Sequence, residues 1–142
     1  MVIEIKFFDN IEINDSEIID FVKPILGFDE FKKYILIDIE DTSIKCLQSI
    51  ENKDICFLVS EPWQYFSDYE FDVFDQDKKL LELNEENAVV LNIMNIPGDI
   101  KRMSINLMAP IIINNLNKSA LQIVLNNQSY RTKHLINVNS NT

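Results

Sequence analysis

The chain has 142 residues, which suits one domain with a sizeable hydrophobic core. Hydrophobic residues make up 46% of it, a composition that argues against an intrinsically disordered protein. Acidic residues outnumber basic ones by 23 to 13, and the formal net charge of −10 disfavours binding to nucleic-acid phosphate or to an anionic membrane surface. A basic protein partner is favoured, unless the charge only keeps a small protein soluble and monomeric.

The N-terminal part of the chain predicts short strands joined by turns. Ile3 and Ile5 alternate with charged residues, as in a half-buried strand, and residues 14–22 fit either a helix start or a strand. Gly27 is expected to hold a positive φ at a turn, before a short helical turn at 29–33. The N-terminal segment is too short and too charged for a signal peptide, and no apolar run approaches the ~20 residues that cross a bilayer, so a cytoplasmic protein is expected.

Three more strands are predicted at 34–40, 44–50 and 54–60, the last two forming a hairpin. Cys46 and Cys56 lie inside the apolar runs of this hairpin. Because no secretory signal precedes them, they are expected to be reduced, buried thiols rather than a disulfide.

The most distinctive composition follows in E-P-W-Q-Y-F-S-D-Y-E-F-D-V-F, residues 61–74. Interpreted as a strand, this stretch places three carboxylates on one face over about 14 Å, at ~3.4 Å per residue. They belong to Asp68, Glu70 and Asp72. Like charges on one face repel, so this face is either the solvated exterior of the domain or the contact for a basic partner. Residues 75–81 then predict a short helix capped by Asp75.

After a strand at 88–96, the longest strand pattern is S-I-N-L-M-A-P-I-I-I-N, residues 104–114. Apolar and polar residues alternate up to Pro110, which cannot donate a ladder hydrogen bond and therefore predicts a bend. The three isoleucines that follow are expected to be covered on both sides, and residues 120–125 return as the second strand of a hairpin. Asn106 is either bonded to the backbone at the bend or exposed for recognition.

Eight or nine short strands, with one or two short helical turns and no long helical pattern, predict an all-β domain. We expect a small antiparallel β-barrel, with a sandwich as the alternative. Residues 1–134 are assigned to this single domain, and residues 135–142 to a polar, frayed C-terminal tail.

The sequence carries little catalytic apparatus. His134, the one histidine, is expected to be a solvated surface side chain, and two cysteines without a nearby histidine do not make a zinc site. Neither glycine lies in a phosphate-binding loop. A protein that is not an enzyme and needs no cofactor or metal is favoured. The alternative is a hydrolase that pairs two carboxylates in space, as glycosidases do.

Seven segments along the chain carry a recognisable pattern. They are P-I-L-G-F-D-E-F-K-K-Y-I-L-I (24–37), C-L-Q-S-I (46–50), D-I-C-F-L-V-S-E-P-W-Q-Y-F-S-D-Y-E-F (54–71), V-L-N-I-M-N-I-P (90–97), S-I-N-L-M-A-P-I-I-I-N (104–114), Q-I-V-L (122–125) and Tyr130-Arg131. Together they resemble the FliW family of flagellar assembly factors, in order and over nearly the whole chain. One departure is local: family members usually have Gly, an apolar residue and Pro before Gly-Phe-Glu, whereas here Pro24-Ile25-Leu26 precedes Gly27-Phe28-Asp29.

The resemblance implies a cytoplasmic, non-enzymatic regulator with a barrel-like antiparallel fold. Members of this family bind flagellin and also CsrA, an RNA-binding translational repressor, and thereby relieve repression of flagellin messenger RNA. The two partners exclude each other, so secretion of flagellin frees the factor to antagonise the repressor. A flagellin chaperone that does not bind the repressor is the alternative.

Five residues are predicted to contact a partner. Asp68, Glu70 and Asp72 share a face and are expected to engage the repressor, which is basic where it holds phosphate. Asn106 and Met108 lie on the other side of their strand from its apolar residues, and they are expected to contact a partner as well.

Overall fold

The computed structural model describes residues 1–6, 10–98 and 100–136. The strands are β1 (Val2–Ile3), β2 (Ile11–Glu12), β3 (Ile19–Lys23), β4 (Lys33–Asp38), β5 (Lys45–Ser49), β6 (Cys56–Ser60), β7 (Ala88–Asn95), β8 (Ser104–Ile105), β9 (Ile111–Asn114), β10 (Ser119–Gln122) and β11 (His134–Leu135). One α-helix, α1 (Asp75–Leu81), occurs in the described part of the chain, with 3₁₀ turns at Asp15–Glu17, Pro62–Gln64 and Ile100–Arg102.

Seven of these strands close into a barrel. Their order is β7-β6-β5-β4-β3-β10-β9, and β9 pairs back onto β7. Closure pairs every strand on both sides, which removes the open edges of a small sheet. The predicted barrel is therefore confirmed. One ladder differs from the antiparallel expectation, because β10 runs parallel to β3, with Ala120 opposite Phe21.

The barrel interior is apolar. The side chains that fill it are Ile19, Phe21, Ile25, Tyr34, Leu47, Val59, Leu91, Ile111, Ile113 and Ala120. The rings of Phe21 and Tyr34 meet edge to face with centroids 5.1 Å apart, a favoured aromatic geometry. Burial of these side chains supplies the main driving force for folding.

The outer face of the β9–β10 hairpin is covered by α1. Leu81 packs on Ile112 and Leu121, whereas the neighbours of Ile112 along β9 point into the barrel. This alternation explains why three consecutive isoleucines are all buried, as predicted. The C-terminus of the helix is fixed by Asn114, whose side-chain amide donates to the carbonyl oxygens of Leu81 at 2.7 Å and Glu82 at 3.2 Å.

Four local predictions turn out differently or in part. Residues 14–22 form both candidate structures, a 3₁₀ turn and then β3. Residues 29–30 make a turn, residues 31–32 are irregular and β4 begins at Lys33, so the expected helical turn is absent from 29–33. The helix at 75–81 is confirmed, but Phe74 occupies its N-cap without a side-chain hydrogen bond. The strand expected over 104–114 is interrupted at 106–110, with the bend at 107–109, just before Pro110. Gly27 has the predicted positive φ, at 88°.

The C-terminal boundary lies slightly beyond the predicted one. β11 pairs with β8, and the Ile136 N–H donates to the Met103 carbonyl oxygen at 2.9 Å. Ile136 is buried in a second apolar cluster beside the barrel, with Tyr69, Met94, Ile105 and Leu107. Residues 135 and 136 of the predicted tail are therefore part of the domain, and residues 137–142 lie outside the described residues.

The cysteines are free thiols, as predicted. Cys46 is buried and Cys56 is half-buried, on the paired strands β5 and β6. Burial raises the pKa of both thiols, that of Cys56 to about 12. Both are therefore protonated and weakly nucleophilic at neutral pH.

Candidate partner-binding surface

The acidic segment is extended but is not a strand. Asp68 lies in a turn, and residues 69–74 pair with no other strand in the described part of the chain. The alternation predicted from the sequence is nevertheless present: Asp68, Glu70 and Asp72 are exposed, whereas Tyr69 is buried. A period of two follows from an extended backbone, with or without a paired neighbour. None of the ion pairs found among the described residues involves these three carboxylates.

Tyr69 anchors this segment to the body of the protein. Its hydroxyl donates to the Leu107 carbonyl oxygen at 2.7 Å and accepts from the Asn92 amide at 3.3 Å. Its own carbonyl oxygen accepts from the Trp63 indole N–H at 2.6 Å. Burial raises the pKa of the Tyr69 hydroxyl to about 12. Side-chain bonds thus hold the backbone here, in place of a β-ladder.

A groove runs beside the acidic segment, with a volume of about 580 Å³. We call it the acidic groove, and it is lined by Glu70, Phe71, Asp72, Phe74, residues 123–127 and Tyr130. Phe74 is 79% exposed and Val124 is 59% exposed, which is unusual for large apolar side chains. Carboxylates and exposed apolar groups therefore lie side by side on this surface.

A smaller apolar cavity of about 220 Å³ adjoins the groove. Its lining is Ile25, Leu26, Phe28, Phe57, Ile93, Asn106, Met108, Ala109, Gln122, Val124 and Thr132. Val124 lines both the cavity and the acidic groove. The structure thus brings Glu70 and Asp72 to one side of Val124, and Asn106 and Met108 to the other. Asp68 lines neither depression.

Asn106 holds the bend before Pro110. Its side-chain oxygen accepts the N–H groups of Met108 at 3.0 Å and Ala109 at 3.1 Å. This Asx turn replaces the ladder bonds that are lost where the strand stops. The structural alternative for Asn106 is confirmed by these bonds, whereas contact with a partner stays a prediction.

His134 is not the solvated side chain that the sequence suggested. It is half-buried on β11, and its ring packs edge-on against Phe66, with centroids 5.6 Å apart, and near Tyr130 at 6.3 Å. Its Nε2 atom is buried without a hydrogen-bond partner among the described residues. The polar residues around it in sequence misled the prediction, because the closer ring contact is with Phe66, which is far away in sequence.

Within residues 1–6, 10–98 and 100–136, no group of three His, Cys, Asp or Glu side chains is placed to hold a metal ion. No helix in this part of the chain has the length and apolar character needed to span a membrane.

Residues Val124 and Phe74 were missed by the sequence-based prediction. The sequence pattern places Val124 only in a hairpin strand and Phe74 only at the end of the acidic stretch. The sequence holds no local signal for them, because Val124 is the middle residue of I-V-L and Phe74 follows the apolar Val73. Their exposure depends on where the ladders stop, which one sequence does not reveal.

The family model described as FliW protein matches residues 2–136. The chain is 34% identical over 142 residues to "Flagellar assembly factor FliW" of Bacillus pumilus (strain SAFR-032), covering 99% of each chain. It is 39% identical over 131 residues to the protein of the same name from Clostridium botulinum (strain Okra / Type B1), covering 91% of this chain and 92% of the relative.

A solved structure has the same fold. It is described as "Crystal structure of the flagellar assembly factor FliW" and aligns with a TM-score of 0.92 at 32% identity, over 96% of this chain and 97% of the other. The family model and the relatives cover the full barrel and the acidic segment. The resemblance found in the sequence motifs is therefore confirmed, and the chain belongs to the FliW family.

Proposed function

We propose that the protein is a flagellar assembly factor that acts as a post-transcriptional regulator. It binds flagellin, and when free of flagellin it binds and antagonises a CsrA-type translational repressor, which relieves repression of flagellin synthesis. The observation that carries this proposal is family membership: the relatives that match over nearly their full length are named flagellar assembly factors, which supports a role in flagellar assembly.

The surface supports a basic protein partner. The net charge is −10, and the acidic groove places Glu70 and Asp72 beside the exposed side chains of Phe74 and Val124. An RNA-binding repressor is basic where it holds phosphate, so an acidic protein is attracted to it over a distance and associates faster. Exposed apolar groups then supply contact area that releases water on binding.

The proposal places the protein in the cytoplasm, where flagellin and the repressor are made. It acts there as a monomer and without catalysis, cofactor, direct nucleic-acid contact or membrane contact. A hydrolase that uses Glu70 and Asp72 would need at least one of these carboxyls in a dry environment that raises its pKa. Both side chains are exposed to solvent, so no observation favours this alternative.

Calorimetric titration tests the proposal. The purified protein is titrated with the CsrA-type repressor of its own organism, and the titration is repeated after saturation with flagellin. Binding that flagellin abolishes is the expected result. Binding to flagellin alone would replace the regulator with a cytoplasmic flagellin chaperone, and binding to neither folded partner would overturn both functions.

A further inference from the structure

The segment after β10, residues 123–127, is hydrogen-bonded along one main-chain edge. The Ile123 N–H donates to the Pro110 carbonyl oxygen at 3.1 Å, and the Leu125 N–H donates to the Met108 carbonyl oxygen at 2.7 Å. These bonds continue the β9–β10 pairing beyond the two strands. The segment is thus held in an extended form by its neighbour on that side.

The opposite edge is open. Successive N–H groups of an extended chain point to opposite edges, so those of Val124 and Asn126 face the side on which β10 pairs with β3. That pairing ends with Leu121 opposite Lys23, and beyond it the Leu26 N–H donates to the Gln122 side-chain oxygen at 2.8 Å and not to the main chain of residues 123–127. Within the described ranges, neither of the two N–H groups has a recorded hydrogen-bond partner. An exposed edge of this kind accepts an added strand.

The open edge lies between two chemically different depressions. Ile123 lines the acidic groove and packs on the same buried cluster as Phe71 and Val73, whereas Val124 lines both the groove and, with Phe28 and Ile93, the apolar cavity. Alternate side chains of a strand point to opposite faces. A strand added here would therefore direct one set of side chains towards the groove and the other set towards the cavity.

We propose that this edge binds an extended segment of a protein partner in which basic and apolar residues alternate. The basic side chains pair with Glu70 and Asp72, the apolar side chains enter the cavity, and the partner's main chain bonds to Val124 and Asn126. The partner's basic residues are inferred from the carboxylates of Glu70 and Asp72 in the groove. Its apolar residues are inferred from the apolar lining of the cavity. The inference rests on the proposed function, which requires a protein partner, and it specifies how that partner is held.

A pair of substitutions at Asn126 tests the main-chain contact. Asn126→Pro removes an open N–H without breaking an internal hydrogen bond, and Asn126→Ala removes the same side chain but keeps the N–H. Both variants and the unaltered protein are titrated with the repressor and with flagellin. Because both variants lose the Asn126 side chain from the groove, only the difference between them reports the N–H, and we expect Asn126→Pro to bind at least one partner about tenfold more weakly than Asn126→Ala does.

A peptide pair provides a second measurement that does not depend on the variants folding. The unaltered protein is titrated with a peptide of about ten alternating lysines and valines, and with its fully N-methylated counterpart. The methyl groups of the second peptide prevent its main chain from approaching an edge closely enough to pair, and they also remove its N–H donors. Binding of the first peptide only supports the proposal.

Equal binding of both peptides, or no binding of either, overturns the strand-addition inference. The strand-addition inference is also overturned if both Asn126 variants fold and bind a partner of the unaltered protein with equal affinity. In that case the proposed function still stands. If the unaltered protein binds neither repressor nor flagellin, the proposed function fails, and the peptide pair still decides whether the edge accepts a strand.

Discussion

The hydroxyl of Tyr130 makes two hydrogen bonds to the main chain of Glu70. It accepts from the Glu70 N–H at 3.1 Å and donates to the Glu70 carbonyl oxygen at 3.0 Å. The Tyr130 ring also packs edge-on against Tyr69, with centroids 4.8 Å apart. One side chain from the C-terminal part of the chain thus takes the place of a paired strand and fixes one end of the acidic groove.

Tyr130→Phe should loosen this end of the groove. The ring and its packing remain, but the exposed Glu70 main chain loses both bonds, which should cost about 1 kcal/mol of unfolding free energy in urea. We expect the Glu70 amide to exchange faster with deuterium in NMR measurements.

Tyr65→Phe is the matched control, because the Tyr65 hydroxyl bonds to Ser60 at 3.2 Å and makes no recorded contact with Glu70. Unchanged protection of the Glu70 amide in Tyr130→Phe would contradict the assigned role.

Asn106→Ala should destabilise the fold. It leaves the N–H groups of Met108 and Ala109 without their acceptor, at a cost of about 1 to 2 kcal/mol in unfolding free energy. Asn106→Asp keeps an oxygen at the same position and should retain most of the stability.

Thermal unfolding separates the two variants, and calorimetry with the repressor tests the second role. If Asn106→Ala lowers the melting temperature while partner affinity is intact, Asn106 is structural only and its predicted partner contact is wrong.

The strands, the short helix and the sides of the chain that face the core could be predicted from the local sequence pattern. Alternation along 68–74 gave the correct exposed carboxylates and more buried aromatic side, because an extended backbone imposes a period of two. Along 104–109 the predicted apolar side of Ile105, Leu107 and Ala109 is buried, but Ser104 on the predicted polar side is buried as well. The same pattern could not show that residues 69–74 lack a paired strand. That outcome depends on Tyr130 and Trp63, whose side chains arrive from elsewhere in the chain and satisfy the backbone.

Features of the surface that depend on contacts between distant parts of the chain could not be predicted from the sequence. The parallel β3–β10 pairing joins elements about a hundred residues apart in the chain, and no local pattern specifies it. It is this pairing, and its end at Lys23, that leaves Val124 at the junction of groove and cavity. The sequence pointed to Glu70 and Asp72 beside the groove and to Asn106 and Met108 beside the cavity, whereas it did not point to Val124 and Phe74.

Two buried tyrosines provide an internally controlled test of hydrogen bonding. Tyr34 is fully buried in the barrel, and its hydroxyl has no hydrogen-bond partner among the described residues, whereas the Tyr69 hydroxyl makes two bonds. Tyr34→Phe should raise the unfolding free energy by about 1 kcal/mol, because it removes a desolvated polar group. Tyr69→Phe should lower it by about 1 to 3 kcal/mol.

Urea unfolding of both variants measures these changes. If Tyr34→Phe destabilised the protein as much as Tyr69→Phe does, the Tyr34 hydroxyl would have to be bonded in solution, contrary to the structure.

Stability should fall at alkaline pH. Burial raises the pKa of Tyr34 and of Tyr69 to about 12, above the ordinary value near 10. Both tyrosine hydroxyls therefore lose their protons at a lower pH in the unfolded state than in the folded state. Their contribution to the free energy of unfolding is fully present below pH 10 and is lost as the pH rises towards 12. Each tyrosine should contribute a slope of about −1.4 kcal/mol per pH unit in this window.

The slope is measured by urea unfolding between pH 9 and about pH 11, as far as the protein stays soluble. The thiol of Cys56, with its pKa raised to about 12, adds to the slope in the unaltered protein and in the variants alike. Tyr34→Phe should make the slope shallower, and an unchanged slope would show that Tyr34 does not titrate in this range.

Charge reversal at the acidic segment tests electrostatic attraction of the partner. Replacing Asp68, Glu70 and Asp72 by Lys should slow association with the repressor about tenfold at low salt and remove most of its salt dependence. Asp68→Lys alone should have a smaller effect, because Asp68 lines neither the groove nor the cavity.

The matched control is the triple replacement of Glu12, Glu85 and Glu86 by Lys, which changes the net charge equally at exposed positions outside both depressions. Stopped-flow association rates at two salt concentrations compare the three variants with the unaltered protein. If the control slowed association as much as the triple reversal at the acidic segment, overall charge would be the cause. The two triple variants carry the same net charge, so attraction by the whole protein's charge would slow association equally in both. Slower association in the acidic-segment variant than in the control therefore supports a specific role for Asp68, Glu70 and Asp72.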